Sequence, residues 1–127
     1  MQQPAFLLGR FLSLADALHR EYCDSIRDGS LPPQLVGNAM LPAAVADPRR
    51  GLANMSNRLR VYQAWGATRG TPLARWALKE LGRVSAELHT AGLPDRLKDT
   101  DKAELLLGYL ARPQDKDTKS EGEKNGN

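Results

Sequence analysis

Apolar residues recur at helical spacing near the start of the chain. They stand three or four positions apart, on one face of a 3.6-residue period, at Leu7, Phe11, Leu14, Leu18, Tyr22 and Ile26. Arg10 and Asp16 fall off that face. Pro4 suits a first helical turn and Gly29 suits a helix end. The pattern predicts a first helix over about residues 4–28.

The segment that follows, residues 30–46, is less regular. Pro32 and Pro33 can open a short helix, and Gly37 and Pro42 interrupt it. The next helix starts clearly, because Asp47 is a good N-cap and stands before a proline. Its apolar positions are Leu52, Met55, Leu59 and Tyr62, and we expect it to reach about Trp65 and to end at Gly66.

The same cap-and-proline start recurs at Thr71 and Pro72. It opens a helix predicted over residues 71–90, which Gly92 and Pro94 close. The apolar stripe of this helix is Leu73, Ala77, Leu81, Val84 and Leu88.

A last helix is predicted with Thr100 as its cap and with Asp101 and Glu104 in its first turn, where acidic residues are favoured. Its apolar block is Leu105, Leu106, Leu107, Tyr109 and Leu110. Glycines inside the predicted helices indicate close helix packing, at Gly9, Gly82 and Gly108.

No segment alternates with the two-residue period of a strand. The fold class predicted is therefore all-α, a four- to five-helix bundle over residues 1–112. Residues 113–127 contain no apolar residue. Because such a segment buries too little surface to offset its ordering entropy, we expect a disordered tail.

Positive charge is concentrated in the middle of the chain. Residues 49–83 hold eight basic residues and one acidic residue, Glu80, while the whole chain of 127 residues carries only +3. The basic residues are Arg49, Arg50, Arg58, Arg60, Arg69, Arg75, Lys79 and Arg83. Such a zone is typical of a surface for a polyanion, most often nucleic acid. An ordinary solvated surface is the simpler interpretation.

Three of these residues form what we call the basic ridge: Arg75, Lys79 and Arg83, at i, i+4 and i+8 opposite the apolar stripe. At 1.5 Å rise per residue the ridge spans roughly 12 Å, about the reach of two or three phosphates. Trp76 stands beside it and can either stack on a base or pack into the bundle. Nothing in the sequence suggests base-specific reading, so contact with the backbone is the expected mode.

Enzymatic signals are weak. His19 and Cys23 are four residues apart, a spacing that can hold a metal, but no second ligand pair follows. A half-buried histidine and a small core cysteine explain the pair more simply. The sequence shows no Gly-rich phosphate loop and no nucleophile elbow, so we expect no catalytic residue, no metal and no cofactor.

Cys23 is the only cysteine, which excludes a disulfide within the chain and favours a cytoplasmic location. No apolar run approaches the length of a membrane span. The start of the sequence also lacks the features of a signal peptide.

Two blocks near the ends of the predicted bundle are similar to a known family. The opening Ala5-Phe6-Leu7-Leu8-Gly9-Arg10-Phe11-Leu12 resembles the aromatic–Leu-Leu-Gly-Arg start of the C-terminal helical region of the type I-C CRISPR large subunit. Residues 26–28 stand where that family closes the same helix. Leu106-Leu107-Gly108-Tyr109 resembles the family's Ala-Leu-Gly-Tyr segment. The order and spacing of the blocks agree over about residues 5–112.

In that family the helical region is also made separately, from an internal start, as the small subunit of the CRISPR RNA-guided surveillance complex. A chain starting at Met1, just before the first helix, resembles such a product. The resemblance implies a non-catalytic helical bundle that contacts the guide RNA–target DNA hybrid or the displaced single strand. It implies backbone subunits, a large subunit and other copies of the chain as partners. The alternative is a helical protein-interaction module whose basic face binds an acidic protein.

Overall fold

A computed structural model of the chain describes residues 3–25 and 40–111, without the side chains of Ser25 and residues 66–69. These ranges form five helices and contain no strand, which confirms the all-α prediction. The helices are α1 (Pro4–Ser25), α2 (Leu41–Ala46), α3 (Pro48–Arg69), α4 (Pro72–Ala91) and α5 (Asp99–Leu110). The tail at 113–127 and the end of the first helix predicted at Gly29 lie outside the described residues.

Helix α1 is the centre of the fold. Every residue from Ala5 to His19 is buried except Phe6 and Arg10, which are half-buried. The expectation of a single apolar face was therefore wrong, since Leu8 and Leu12, outside the stripe, are both fully buried. A helix that is apolar on nearly all sides is one that neighbours surround.

Helices α3, α4 and α5 contact different sides of α1. On one side His19 and Tyr22 meet Tyr62 of α3. On another side α4 runs antiparallel to α1, because Thr71 at its start bonds Glu21 and Glu80 pairs with Arg10. On a third side α5 crosses the N-terminal part of α1. The two helices of the basic segment thus pack beside each other, and α5 lies apart from them.

Two glycines make the α1–α5 crossing possible. A Cβ added at Gly9 would overlap the carbonyl oxygen of Leu105, and one added at Gly108 would overlap that of Phe6. The prediction of close packing is confirmed for both. It was wrong for Gly82, because a Cβ there would meet nothing within 4 Å.

Local signals placed most helix starts correctly. The side chain of Asp47 accepts from the Arg50 N–H, and that of Thr71 accepts from the Ala74 N–H, as expected of N-caps. Helix α4 ends at Gly92, which has a positive φ of 78°.

Two predicted boundaries were wrong, at Gly66 and at Thr100. Helix α3 continues through Gly66 to Arg69, since one glycine in a helix costs only about 1 kcal/mol. Pro42 lies in the first turn of α2, where no backbone N–H is required, while the short helix predicted from Pro32 and Pro33 lies outside the described residues. Thr100 is not a cap, because α5 begins at Asp99. The N-cap residue is Lys98, and its backbone N–H donates to the Asp101 carboxylate.

Candidate nucleic-acid interface

The basic ridge lies on the side of α4 that faces away from the core. The residues that α4 buries are Ala74, Ala77, Leu81, Val84 and Leu88. Arg75, Lys79 and Arg83 are exposed, and at 100° per residue they project from the opposite side. The structure therefore brings these three predicted site residues together on one surface.

Arg83 differs from the other two because acidic groups hold it. Its guanidinium lies 2.8 Å from a carboxylate oxygen of Glu80 and 3.0 Å from one of Glu87. The hydrogen bond from Arg83 is the main cause that lowers the pKa of Glu80, and it raises the pKa of Arg83 in turn. Glu80 also pairs with Arg10 of α1 at 3.5 Å. Arg83 thus belongs to an ion-pair chain between α4 and α1, and the C-terminal end of the ridge is largely neutralised.

Arg75 and Lys79, the other two members of the ridge, lie exposed at the surface. Within the part of the chain that the structure describes, no acidic group pairs with either side chain. They are one helical turn apart, about 6 Å along the axis. A forked guanidinium followed by an ammonium at this spacing is suited to neighbouring phosphate oxygens.

The arginines of α3 do not extend the ridge into one continuous surface. Arg49 donates to the Leu93 carbonyl oxygen at 2.8 Å and pairs with Asp95 at 2.8 Å, so it ties the start of α3 to the loop after α4. Arg50 and Arg60 are exposed on the outward side of α3. Arg58 is exposed on another side, close enough to Tyr62 to act on its hydroxyl electrostatically. The side chain of Arg69 lies outside the described set.

Trp76 is half-buried and packs against the hydrophobic core. It stands four residues before Glu80, on the flank of α4 that faces Arg10 rather than on the outward side. Packing therefore accounts for this tryptophan without a stacked base.

His19 and Cys23 lie in the α1–α3 contact. The Nδ1 atom of His19 is hydrogen-bonded to the Tyr62 hydroxyl at 2.9 Å, and its Nε2 atom is 3.2 Å from the Cys23 sulfur. Both ring nitrogens therefore have protein partners. Among the described residues, no three histidine, cysteine or acidic side chains are grouped as metal ligands would be.

Burial lowers the pKa of His19 from its ordinary value of 6.5, while Asp16 opposes this shift weakly. The unfolded chain therefore binds a proton at this position more readily than the folded chain. The contribution of neutral His19 to the free energy of unfolding is therefore fully present above pH 6.5 and is lost as the pH falls below that value. The free energy of unfolding, measured with urea, should be lower at about pH 5 than at about pH 7. The difference between the two pH values should be smaller in the His19→Gln variant.

His89→Gln is the matched control, because His89 is exposed at the end of α4. It should keep the full loss of stability at low pH. Glu80 contributes little to this loss, because the stability that comes from its lowered pKa is lost only as the pH falls through the usual value of 4.5 and below. An unchanged pH dependence in the His19→Gln protein would contradict the assignment.

Sequence reasoning missed two features of the surface. It did not predict the ion pair of Arg49 with Asp95, because the two residues are 46 positions apart in the chain. It also grouped the leucines of α5 as one apolar block, although Leu106, Leu107 and Leu110 are 45, 56 and 64 % exposed. Adjacent helical residues point about 100° apart, which is the signal that would have separated them.

Comparison with known proteins gives no relative for this chain: no family model, no curated protein and no solved structure matches it. None of the helices in residues 3–25 and 40–111 is both long enough and apolar enough to cross a membrane.

Proposed function

We propose that this chain is a non-catalytic, nucleic-acid-binding small subunit of a type I CRISPR surveillance complex. The observation that carries the proposal is the pair Arg75 and Lys79, exposed on the outward side of α4 with no described acidic partner. The pair holds the phosphate backbone without reading bases, while the guide RNA supplies sequence choice. The bound nucleic acid is either the guide RNA–target DNA hybrid or the displaced single strand of DNA.

The α1–α5 crossing supports the family assignment. The two blocks that resemble the type I-C large subunit come from opposite ends of the bundle, around Gly9 and around Gly108. In the fold they contact each other, and each glycine lies against the backbone of the other block. They are therefore parts of one packing unit, which is what a shared fold requires of two separated motifs.

Binding to nucleic acid is tested with the full chain and a mixed-sequence single-stranded oligonucleotide. We expect an affinity that falls steeply with salt and depends little on sequence. A short guide–target hybrid serves as the second probe and separates the two strand assignments. Absence of binding to both probes at low salt would overturn the nucleic-acid proposal, and the acidic-protein module would take its place.

Membership in the complex has a separate test. The chain is co-expressed with type I-C backbone and large subunits and a guide RNA, and the assembled complex is purified through a backbone subunit. We expect the chain to co-purify, and we expect its removal to reduce stable opening of target DNA more than it reduces guide loading. A complex that excludes the chain would reject this role even if the free chain binds single strands.

A further inference from the structure

An open cavity lies between the first turns of α3 and the last turns of α4, and its volume is about 260 Å³. Helices α3 and α4 run in opposite directions, because a connection of only two residues joins them. The start of α3 therefore lies beside the end of α4, where Arg49 donates to the Leu93 carbonyl oxygen. Among the described residues that line the cavity, none belongs to the basic ridge.

The floor of the cavity is apolar. Three side chains form it, which we call the leucine floor: Leu52, Leu88 and Leu93. Leu88 and Leu93 are 2 and 7 % exposed, and Leu52 packs against the same core. Because the core holds these leucines in place, the floor is preformed, as it is in most small-molecule sites.

Three polar side chains line the cavity beside this floor, namely Arg49, Ser85 and His89. All three are exposed, and Ser85 and His89 are one turn apart on the same side of α4. Within residues 3–25 and 40–111, no group is hydrogen-bonded to the Ser85 hydroxyl, the His89 ring or the Nη2 atom of Arg49. None of the described lining residues is acidic. A charged guanidinium with two further donors on one cavity is suited to an anion.

The ion pair of Arg49 shows which kind of anion this guanidinium takes. Its Nη1 atom lies 2.8 Å from a carboxylate oxygen of Asp95, while its Nε atom donates to the Leu93 carbonyl oxygen. The Asp95 side chain is 83 % exposed, so the pair contributes little and its carboxylate can return to water at small cost. Another carboxylate can then take its place, and the bond to Leu93 keeps Arg49 in position.

We propose that this cavity binds a small organic carboxylate with an apolar body. The ligand carboxylate replaces that of Asp95 at Arg49, and the apolar body lies on the leucine floor. Ser85 and His89 supply further donors to the ligand. The volume is just below the roughly 300–1,000 Å³ of sites for drug-sized molecules, so the ligand is smaller than these. The proposal does not rest on nucleic-acid binding, since the basic ridge lies outside the cavity.

Binding is tested with naphthoate as the probe and the full chain carrying isotope-labelled histidine. The chain has two histidines, and only His89 lines the cavity. In magnetic resonance spectra, the ring signals of His89 should shift and saturate with a dissociation constant of about 1 mM or lower. The ring signals of His19 should stay in place, because Tyr62 and Cys23 occupy both of its nitrogens in the α1–α3 contact. Methyl naphthoate, which lacks the charge, and inorganic phosphate, which lacks the apolar body, should both bind more weakly.

Two variants of opposite expected effect locate the bound probe. Ser85→Glu places a negative charge in the cavity and should weaken naphthoate binding roughly tenfold. Ala86→Glu is the matched control, because it adds the same charge at the next exposed position, which does not line the cavity. Asp95→Asn removes the competing carboxylate and should strengthen binding by up to roughly fivefold, the worth of an exposed ion pair. All three positions are exposed, so each variant should keep the helical circular dichroism of the parent.

Other results would overturn the proposal. His89 signals that do not saturate by about 10 mM naphthoate would show that the cavity does not hold this class of ligand. Equal binding of methyl naphthoate would reduce the site to an apolar contact, and equal binding of phosphate would make it a simple anion site. Unchanged affinity in a folded Ser85→Glu protein would place the probe elsewhere, for example on the exposed leucines of α5.

Discussion

Gly108→Ala is expected to destabilise the fold by at least about 2 kcal/mol, in the upper part of the range of roughly 1–3 kcal/mol that is typical of overpacking a tight contact. The added Cβ would overlap the Phe6 carbonyl oxygen and would stand only 3.1 Å from the Arg10 nitrogen. Both atoms belong to the backbone of the central helix, so no side chain can rotate to make room. Thermal unfolding should show a loss of more than about 8 °C, using roughly 4 °C per kcal/mol for a small domain.

Gly82→Ala is the matched control. It makes the same chemical change inside a helix, at an exposed position where a Cβ meets nothing within 4 Å. Because alanine favours helix over glycine by about 1 kcal/mol, this variant should be as stable as the parent or more stable. Gly9→Ala should behave like Gly108→Ala, since its Cβ would overlap the Leu105 carbonyl oxygen. Equal melting temperatures for Gly82→Ala and Gly108→Ala would mean that the α1–α5 crossing is not close.

The double variant Arg75→Ala, Lys79→Ala should lose most of the salt dependence of single-strand binding that α4 supplies. Each phosphate contact contributes about 0.7 to the slope of log affinity against log salt, so the slope should flatten by roughly 1.4. Across a fourfold rise in salt, the advantage of the parent chain over the variant should therefore shrink by roughly sevenfold. The fold should survive, because both side chains are exposed and alanine favours helix.

Two control variants test whether the change in salt slope is specific to Arg75 and Lys79. Arg96→Ala with Lys102→Ala removes the same amount of charge from exposed positions away from α4, and should leave the slope nearly unchanged. Arg83→Ala should flatten the slope by less than Arg75→Ala or Lys79→Ala alone. Glu80 and Glu87 already pair with the Arg83 guanidinium. If Arg83→Ala has the largest effect, its ion pairs open on binding. If the double variant keeps the parent slope, α4 does not face nucleic acid.

The sequence predicts a ridge of three cations, and the structure separates Arg83, which is held in ion pairs, from Arg75 and Lys79. The helical spacing of Arg75, Lys79 and Arg83 was legible in the sequence, because residues four apart share a helix face. The pairing of Arg83 with Glu80 and Glu87 could also be predicted from the sequence, since each glutamate lies within about one helical turn of Arg83. The contact from Glu80 to Arg10 was not, because it joins residues 70 positions apart.

The amino-acid sequence by itself determined the local elements. Cap residues followed by proline at Asp47 and Thr71, and glycine after α4, act through hydrogen bonds and backbone torsions within a few residues. Such signals depend little on the rest of the fold. For this reason the helical class and three of the boundaries were predictable.

Only the tertiary structure decided which sides of α1 and α5 are buried. Helix α1 is surrounded because three other helices converge on it, and no periodicity within its own sequence states how many neighbours it has. The leucines of α5 look like core residues, yet the close approach at Gly9 and Gly108 turns one side of α5 inward and leaves three leucines outside. Burial and ion pairing depend on residues that are distant in the chain and adjacent in space, so the surfaces offered to partners are fixed only by packing.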